Sequence, residues 1–201
     1  MAQSSAKALG ILTFQKAIRG GVRPNLFSVT HPWNIPNVAP PEISETEDAV
    51  TYMCKSAALP ATNVGTVELP FRGRVIKVPG DRTYETWTAT FYQDDAFELR
   101  SAYEKWIEVT NGVDANTAES NVADIFTNIT IDQLDKFKGD KSNLQVIRRY
   151  ELIAAFPVSV SQVSLAYDNN DSYEEFDVEF AYQYHVTKEI GNNLVSTSAG
   201  G

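Results

Sequence analysis

The clearest hydrophobic pattern in the chain runs from Tyr173 to His185. Phe176, Val178, Phe180, Tyr182 and Tyr184 fall on one side, and Glu175, Asp177, Glu179 and Gln183 on the other. That period of two predicts a strand with one core face and one strongly acidic face. Tyr84–Tyr92 repeats the pattern, with Glu85, Trp87, Ala89 and Phe91 opposite Tyr84, Thr86, Thr88, Thr90 and Tyr92. Its outward face is rich in hydroxyls. Shorter strand patterns cover Asn25–His31 and Asp48–Ala57. Ile125–Leu134 and Asn143–Phe156 read as a hairpin joined by the charged stretch Asp135–Ser142 and closed by Pro157. Val158–Tyr167 alternates with a change of phase near Gln162, which a bulge would explain. Thr66–Leu69 and Arg72–Val78 flank Pro70-Phe71 and precede Pro79-Gly80-Asp81, a turn signal. Asp168–Asp171 is a second turn.

One segment has helical spacing instead. Leu99, Tyr103, Trp106 and Ile107 make a single stripe in a helix predicted over about residues 95–110. Asp94 or Asp95 can cap its start and Asn111-Gly112 ends it. Pro32, Pro36, Pro40 and Pro41 make residues 32–41 a stiff surface loop. The fold class is therefore mainly β: a small antiparallel barrel or sandwich of about six to eight strands with one flanking helix. Three parts are expected: an N-terminal arm over 1–22, one β domain over 23–190, and a flexible tail over 191–201. For the arm, which has Lys7, Lys16 and Arg19 and no acid, a frayed end and an extension packing on a neighbouring subunit both stand.

Charge narrows the partners. The 201 residues carry a net charge of −9, which argues against general nucleic-acid binding. It is compatible with a surface that repels nucleic acid. The single cysteine, Cys54, excludes an internal disulfide framework and reads as a buried, inert thiol. No stretch has the roughly 20 apolar residues of a membrane span, so a soluble protein made in a cytoplasm is expected. His31 and His185 lack partners at metal-ligand spacing, and no phosphate-cradling motif occurs. Nothing supports catalysis.

Two charge patterns remain. The acidic face of Glu175, Asp177 and Glu179 is either a solvated outer face or the wall of a channel. Arg72, Arg74, Lys77 and Arg82 make a basic hairpin, and Glu45, Glu47 and Asp48 belong to an acidic run. Such opposed charges are either ordinary surface or the two halves of a head-to-tail contact.

Arg23-Pro24-Asn25-Leu26-Phe27, Cys54-Lys55 with Ala58-Leu59-Pro60, Gly80-Asp81-Arg82-Thr83-Tyr84 and Thr86-Trp87 occur in that order. This ordered set resembles the tail tube proteins of contractile-tailed, T4-like bacteriophages. The resemblance implies a non-enzymatic structural protein with no cofactor, located in the virion tail tube and assembled in the host cytoplasm. It implies hexameric rings stacked into a hollow tube inside a contractile sheath, with a largely electronegative lumen through which DNA passes without specific binding. The implied partners are further copies of the chain, the tail sheath protein, and the baseplate and tail terminator proteins, with no membrane contact. It also implies sheet over Cys54–Val64 and Arg82–Tyr92, with Gly65–Gly80 as the contacting hairpin. The tube protein of a type VI secretion or other contractile injection system, whose lumen carries protein effectors, is the alternative with the same fold.

Overall fold

A computed structural model describes residues 11–18, 21–44, 47–113, 117–118, 121–140, 143–168, 170 and 172–189. The expected 191–201 tail lies outside the described residues. Among the described residues the chain is mainly antiparallel sheet. Strand β1 (Phe27–Thr30) pairs with β8 (Thr127–Asp140), which pairs with β9 (Asn143–Val160). The last strand, β11 (Tyr184–Glu189), lies on the other side of the first half of β9. The end of β9 pairs instead with β10 (Glu175–Ala181), followed by β7 (Trp87–Tyr92) and β4 (Cys54–Ala57). One sheet thus folds over at β9 into two layers.

The corner in β9 has visible causes. Ala154 adopts φ 52, a left-handed value that a non-glycine residue takes at a cost, and its N–H bonds the Asn128 side chain at 3.1 Å. Pro157 follows, opposite Phe180 at a register shift in the β9–β10 ladder. A residue without an N–H is tolerated at such an irregularity. Pro157 therefore lies within the strand and does not close it, contrary to the sequence expectation. The strand then stops at Val160 and Ser161–Ala166 have no regular structure, although the Ser161 N–H still donates to the Asp177 carbonyl at 2.8 Å.

Other boundaries differ as well. Tyr173–His185 is not one strand. It breaks at Tyr182-Gln183, and the chain then continues along the same edge of β9 in unchanged register, Ala181 opposite Phe156 and Tyr184 opposite Ile153. Asp48–Ala57 is a short helix α2 (Ala49–Met53) followed by β4, because Val50 can then be fully buried while Tyr52 points outward at 61% exposure. β2 (Glu42–Ser44) and β3 (Glu47–Asp48) pair only with each other. β5 (Asn63–Phe71) and β6 (Arg74–Thr83) do the same, so Pro79-Gly80-Asp81 lies inside β6 and makes no turn. Residues 32–41 have no helix or strand, as expected, yet Ile35 and Val38 of that loop are buried core residues.

The long helix α3 (Glu98–Thr110) starts three residues later than the sequence suggests. The Asp94 carboxylate accepts the Glu98 N–H at 2.9 Å, and Phe97 at φ 58 turns the chain into the helix. Its inner face buries Leu99, Ala102, Tyr103, Trp106 and Val109. These meet Trp87 and Phe91 of β7 and Phe176 and Phe180 of β10 in one aromatic-rich core. The Trp106 N–H donates to the Ile125 carbonyl at 2.9 Å, so this large side chain is buried with its polar atom satisfied. His31 sits inside the same core, its Nε2 3.0 Å from the Tyr103 hydroxyl and its ring 4.4 Å from that of Trp33. Burial pushes its imidazole down to about 4. The short N-terminal helix α1 (Ile11–Ile18) completes the described elements, apart from a single 3-10 turn at Val122–Ile125.

Candidate channel face and assembly hairpin

The second layer of the sheet has one face in the core and one outside. On β10 the division is strict: Phe176, Val178 and Phe180 are at most 1% exposed, while Glu175, Asp177 and Glu179 point away. The register sets Asp177 opposite Thr90 and Glu179 opposite Thr88 on one side and Ser159 on the other. The Thr90 hydroxyl donates to Asp177 Oδ1 at 2.7 Å. Glu179 accepts from the Thr86 hydroxyl and, at 3.2 Å, from the Ser159 hydroxyl. The Lys55 ammonium of β4 reaches Glu175 at 2.6 Å, and this hydrogen bond holds it above its ordinary value.

This alters the sequence picture of three carboxylates that simply repel. One is neutralised by Lys55 on the sheet edge, and the other two are held by hydroxyls of neighbouring strands. Lys55, Thr86, Thr90 and Ser159 thus belong to the face. The hydroxyl-rich side of Tyr84–Tyr92 signalled the threonines, but only the strand register brings them beside β10. The net result is a fixed, hydroxyl-lined, electronegative surface with one cation at its margin.

The β5–β6 hairpin is a second feature. Its tip is a two-residue turn, Arg72-Gly73, with φ 47 and 76. Both values are left-handed, the type I′ geometry whose twist suits a hairpin. Phe71 faces Arg74, Leu69 faces Ile76, and Val67 faces Val78. Lys77 lies opposite Glu68 at 3.5 Å, both well exposed, so little energy comes from that pair. The Arg72 guanidinium lies 5.4 Å from the centre of the Phe71 ring. Arg82 stands at the base, opposite Val64, close enough to His185 to help lower that imidazole, although burial is the larger cause.

The four basic residues are therefore spread from tip to base. What the charges hid is the apolar content. Val64, Val67, Leu69, Phe71, Val75 and Ile76 are all at least 50% exposed, on both faces of a ribbon that joins neither layer. Large apolar residues recurring through 64–78 between the charges were the available signal. Of the acidic run, Glu45 lies outside the described residues, and Glu47 and Asp48 are placed only by their backbone in β3. Among the described strands β3 pairs with β2 and not with the hairpin.

Among the described residues no group of three or more His, Cys, Asp or Glu is placed to hold a metal ion. No helix there is long and apolar enough to cross a membrane. Cys54 is half-buried, and burial pushes its thiol up to about 12. It is an inert thiol at neutral pH.

The profile described as "Phage tail tube protein" matches residues 22–188, which include both layers, α3 and the hairpin. The chain belongs to the phage tail tube protein family. It is 29% identical over 162 residues to the tail tube protein of Enterobacteria phage T4, covering 81% of this chain and 89% of that protein. It is 26% identical over 155 residues to the tail tube protein of Serratia phage KSP90, covering 76% and 84%. Among solved structures, a chain of the anti-feeding prophage tube terminating cap matches with TM-score 0.58 at 16% identity, covering 84% of this chain and 91% of that one. A chain of the sheath-tube complex of an extracellular contractile injection system matches with TM-score 0.57 at 15% identity, covering 89% and 98%. At such identities these two show a shared fold. The family makes the protein a structural component of a phage tail tube, located in the virion tail.

Proposed function

We propose that this tail tube protein forms hexameric rings that stack head to tail into a hollow tube. The tube stands inside a contractile sheath and conducts phage DNA into the host. The observation that carries self-assembly is the β5–β6 hairpin. A free two-stranded ribbon is marginal in water, and one with apolar side chains on both faces needs a partner surface. A neighbouring copy is the partner that a tube supplies, and heterologous contacts of this kind propagate into rings and filaments. Arg72, Arg74, Lys77 and Arg82 would steer and fix the contact, with Glu45, Glu47 and Asp48 as candidates for its acidic side.

The β10 face is the candidate lumen wall. Glu175, Asp177 and Glu179 would repel phosphate, while Thr86, Thr90 and Ser159 hold the Asp177 and Glu179 carboxylates in place along the wall. DNA then slides without being captured. The protein catalyses no reaction in this reading and requires no cofactor. Tail sheath, baseplate and tail terminator proteins are its other partners, a reading supported by the tube, terminator and sheath-tube assemblies in which chains of the same fold occur.

Negative-stain imaging of purified protein, with sedimentation velocity across a concentration series, tests the proposal. Rings or tubes of uniform diameter are expected. A monomer at every concentration would refute it.

A further inference from the structure

Helix α1 lies outside the stretch shared with the family, which begins at residue 22. It has eight residues, and a helix shorter than about 12 residues is marginal in water unless an apolar face is packed. Ile11, Phe14 and Ile18 stand at i, i+3 and i+7 and form one stripe, with Lys16 on the opposite side. The three are 77%, 64% and 50% exposed, so the helix's own domain does not cover them. The helix nevertheless has a built end. Gly21 at φ 66 donates its N–H to the Ile18 carbonyl at 2.7 Å, a left-handed stop.

Charge indicates where the stripe belongs. The first 22 residues hold Lys7, Lys16 and Arg19 and no acid, so of the net −9 the remaining chain carries −12. The hairpin, another large apolar surface, is itself basic and unsuited to this segment. A cavity of about 280 Å³ at the junction of the Pro-rich loop, α2 and α3 is suited to it. Pro41, Ala49, Met53 and Leu99 make its apolar floor, and Asp95 and Glu98 stand at its rim.

We propose that α1 of one copy docks its Ile11–Phe14–Ile18 stripe into this cavity of a second copy, a clasp between subunits added to the family's shared domain. A second copy is the occupant because the cationic apolar helix and the acid-rimmed apolar cavity are complementary parts of the same chain. Assembly also brings copies together at high effective concentration. The clasp rests on the self-assembly reading above.

Two variants of the full chain test it. Phe14→Asp changes only an exposed side chain, so the domain stays folded. It raises the concentration needed for assembly about tenfold or more, the loss expected from one unburied aromatic side chain. Phe14→Cys with Ala96→Cys, oxidised mildly, gives chains linked to one another on a non-reducing gel. Cys54 stays out of this exchange because its thiol is held at about 12. Rings with unchanged assembly in Phe14→Asp, an intrachain link, or no link in assembled protein would each overturn the clasp while leaving the tube reading intact. A wild-type chain that never assembles overturns both.

Discussion

Acidification should unfold this protein through one buried ring. His31 is enclosed by Trp33, Tyr103, Trp106 and Phe180, and its imidazole is held at about 4 against an ordinary 6.5. Between those two values the unfolded chain binds a proton that the folded chain refuses. Stability is therefore fully present above the ordinary value and falls as pH falls toward about 4. Below that the folded state protonates too and the loss levels off. At about 1.4 kcal/mol per tenfold, the full difference is worth about 3 kcal/mol, a large part of a typical 5–15 kcal/mol. The assay is urea unfolding followed by near-UV circular dichroism at steps between about pH 7 and pH 4.5, at concentrations below assembly. His185 is also held low by burial and by Arg82, so the measurement belongs in a His185→Asn background. There, His31→Asn retains a polar partner for Tyr103 but cannot titrate, and its stability should lose less with acid than that of the parent, by about 2–3 kcal/mol. Parallel curves for the two proteins would refute the argument and move the acid sensitivity to the carboxylates.

Replacing Arg72 and Arg74 with Glu should weaken tube formation in the microscope and leave the far-UV spectrum unchanged; undiminished tubes would remove the hairpin tip from the contact. Gly73→Val meets no neighbouring atom but must hold φ 76, at a cost of about 1–2 kcal/mol. Faster hydrogen exchange confined to β5 and β6 is the expected readout. Glu175, Asp177 and Glu179 all changed to Lys should still permit tubes but slow DNA ejection in a particle assay, and normal ejection would mean that this face is not the lumen wall. Trp106→Ala should cost about 3–5 kcal/mol, because it opens a cavity and leaves the Ile125 carbonyl without its donor; thermal melting measures it.

Where one face of a strand is buried, the sequence is easy to read. Phe176, Val178 and Phe180 and the partnered Trp87, Ala89 and Phe91 declared both strands, and Leu99, Tyr103 and Trp106 declared the helix. The errors fall where tertiary pairing decides. Pro157 reads as a terminator, but the register shift opposite Phe180 gives it a place inside β9. Val50 looks like part of a strand until the core requires it in α2. In the hairpin, Arg72, Arg74 and Lys77 drew attention to charge, whereas Leu69, Phe71 and Ile76 are informative only once the ribbon is known to lack a third strand. Lys55 and Glu175 are 120 residues apart, and no local pattern announces their pairing.

Because β9 supplies rungs to both layers, neither can come apart by itself. Its first half is bonded on both sides, to β8 and β11, and its last residues anchor β10. Freeing the layer of β10, β7 and β4 would strip the end of a strand whose beginning is still locked in the other. The subunit should therefore melt in one step, and amides in β8, β9 and β10 should exchange only through global opening. In the proposed tube, such all-or-none behaviour means that a ring either keeps its bore or loses a whole subunit. Such a ring would have no half-open wall through which it could leak.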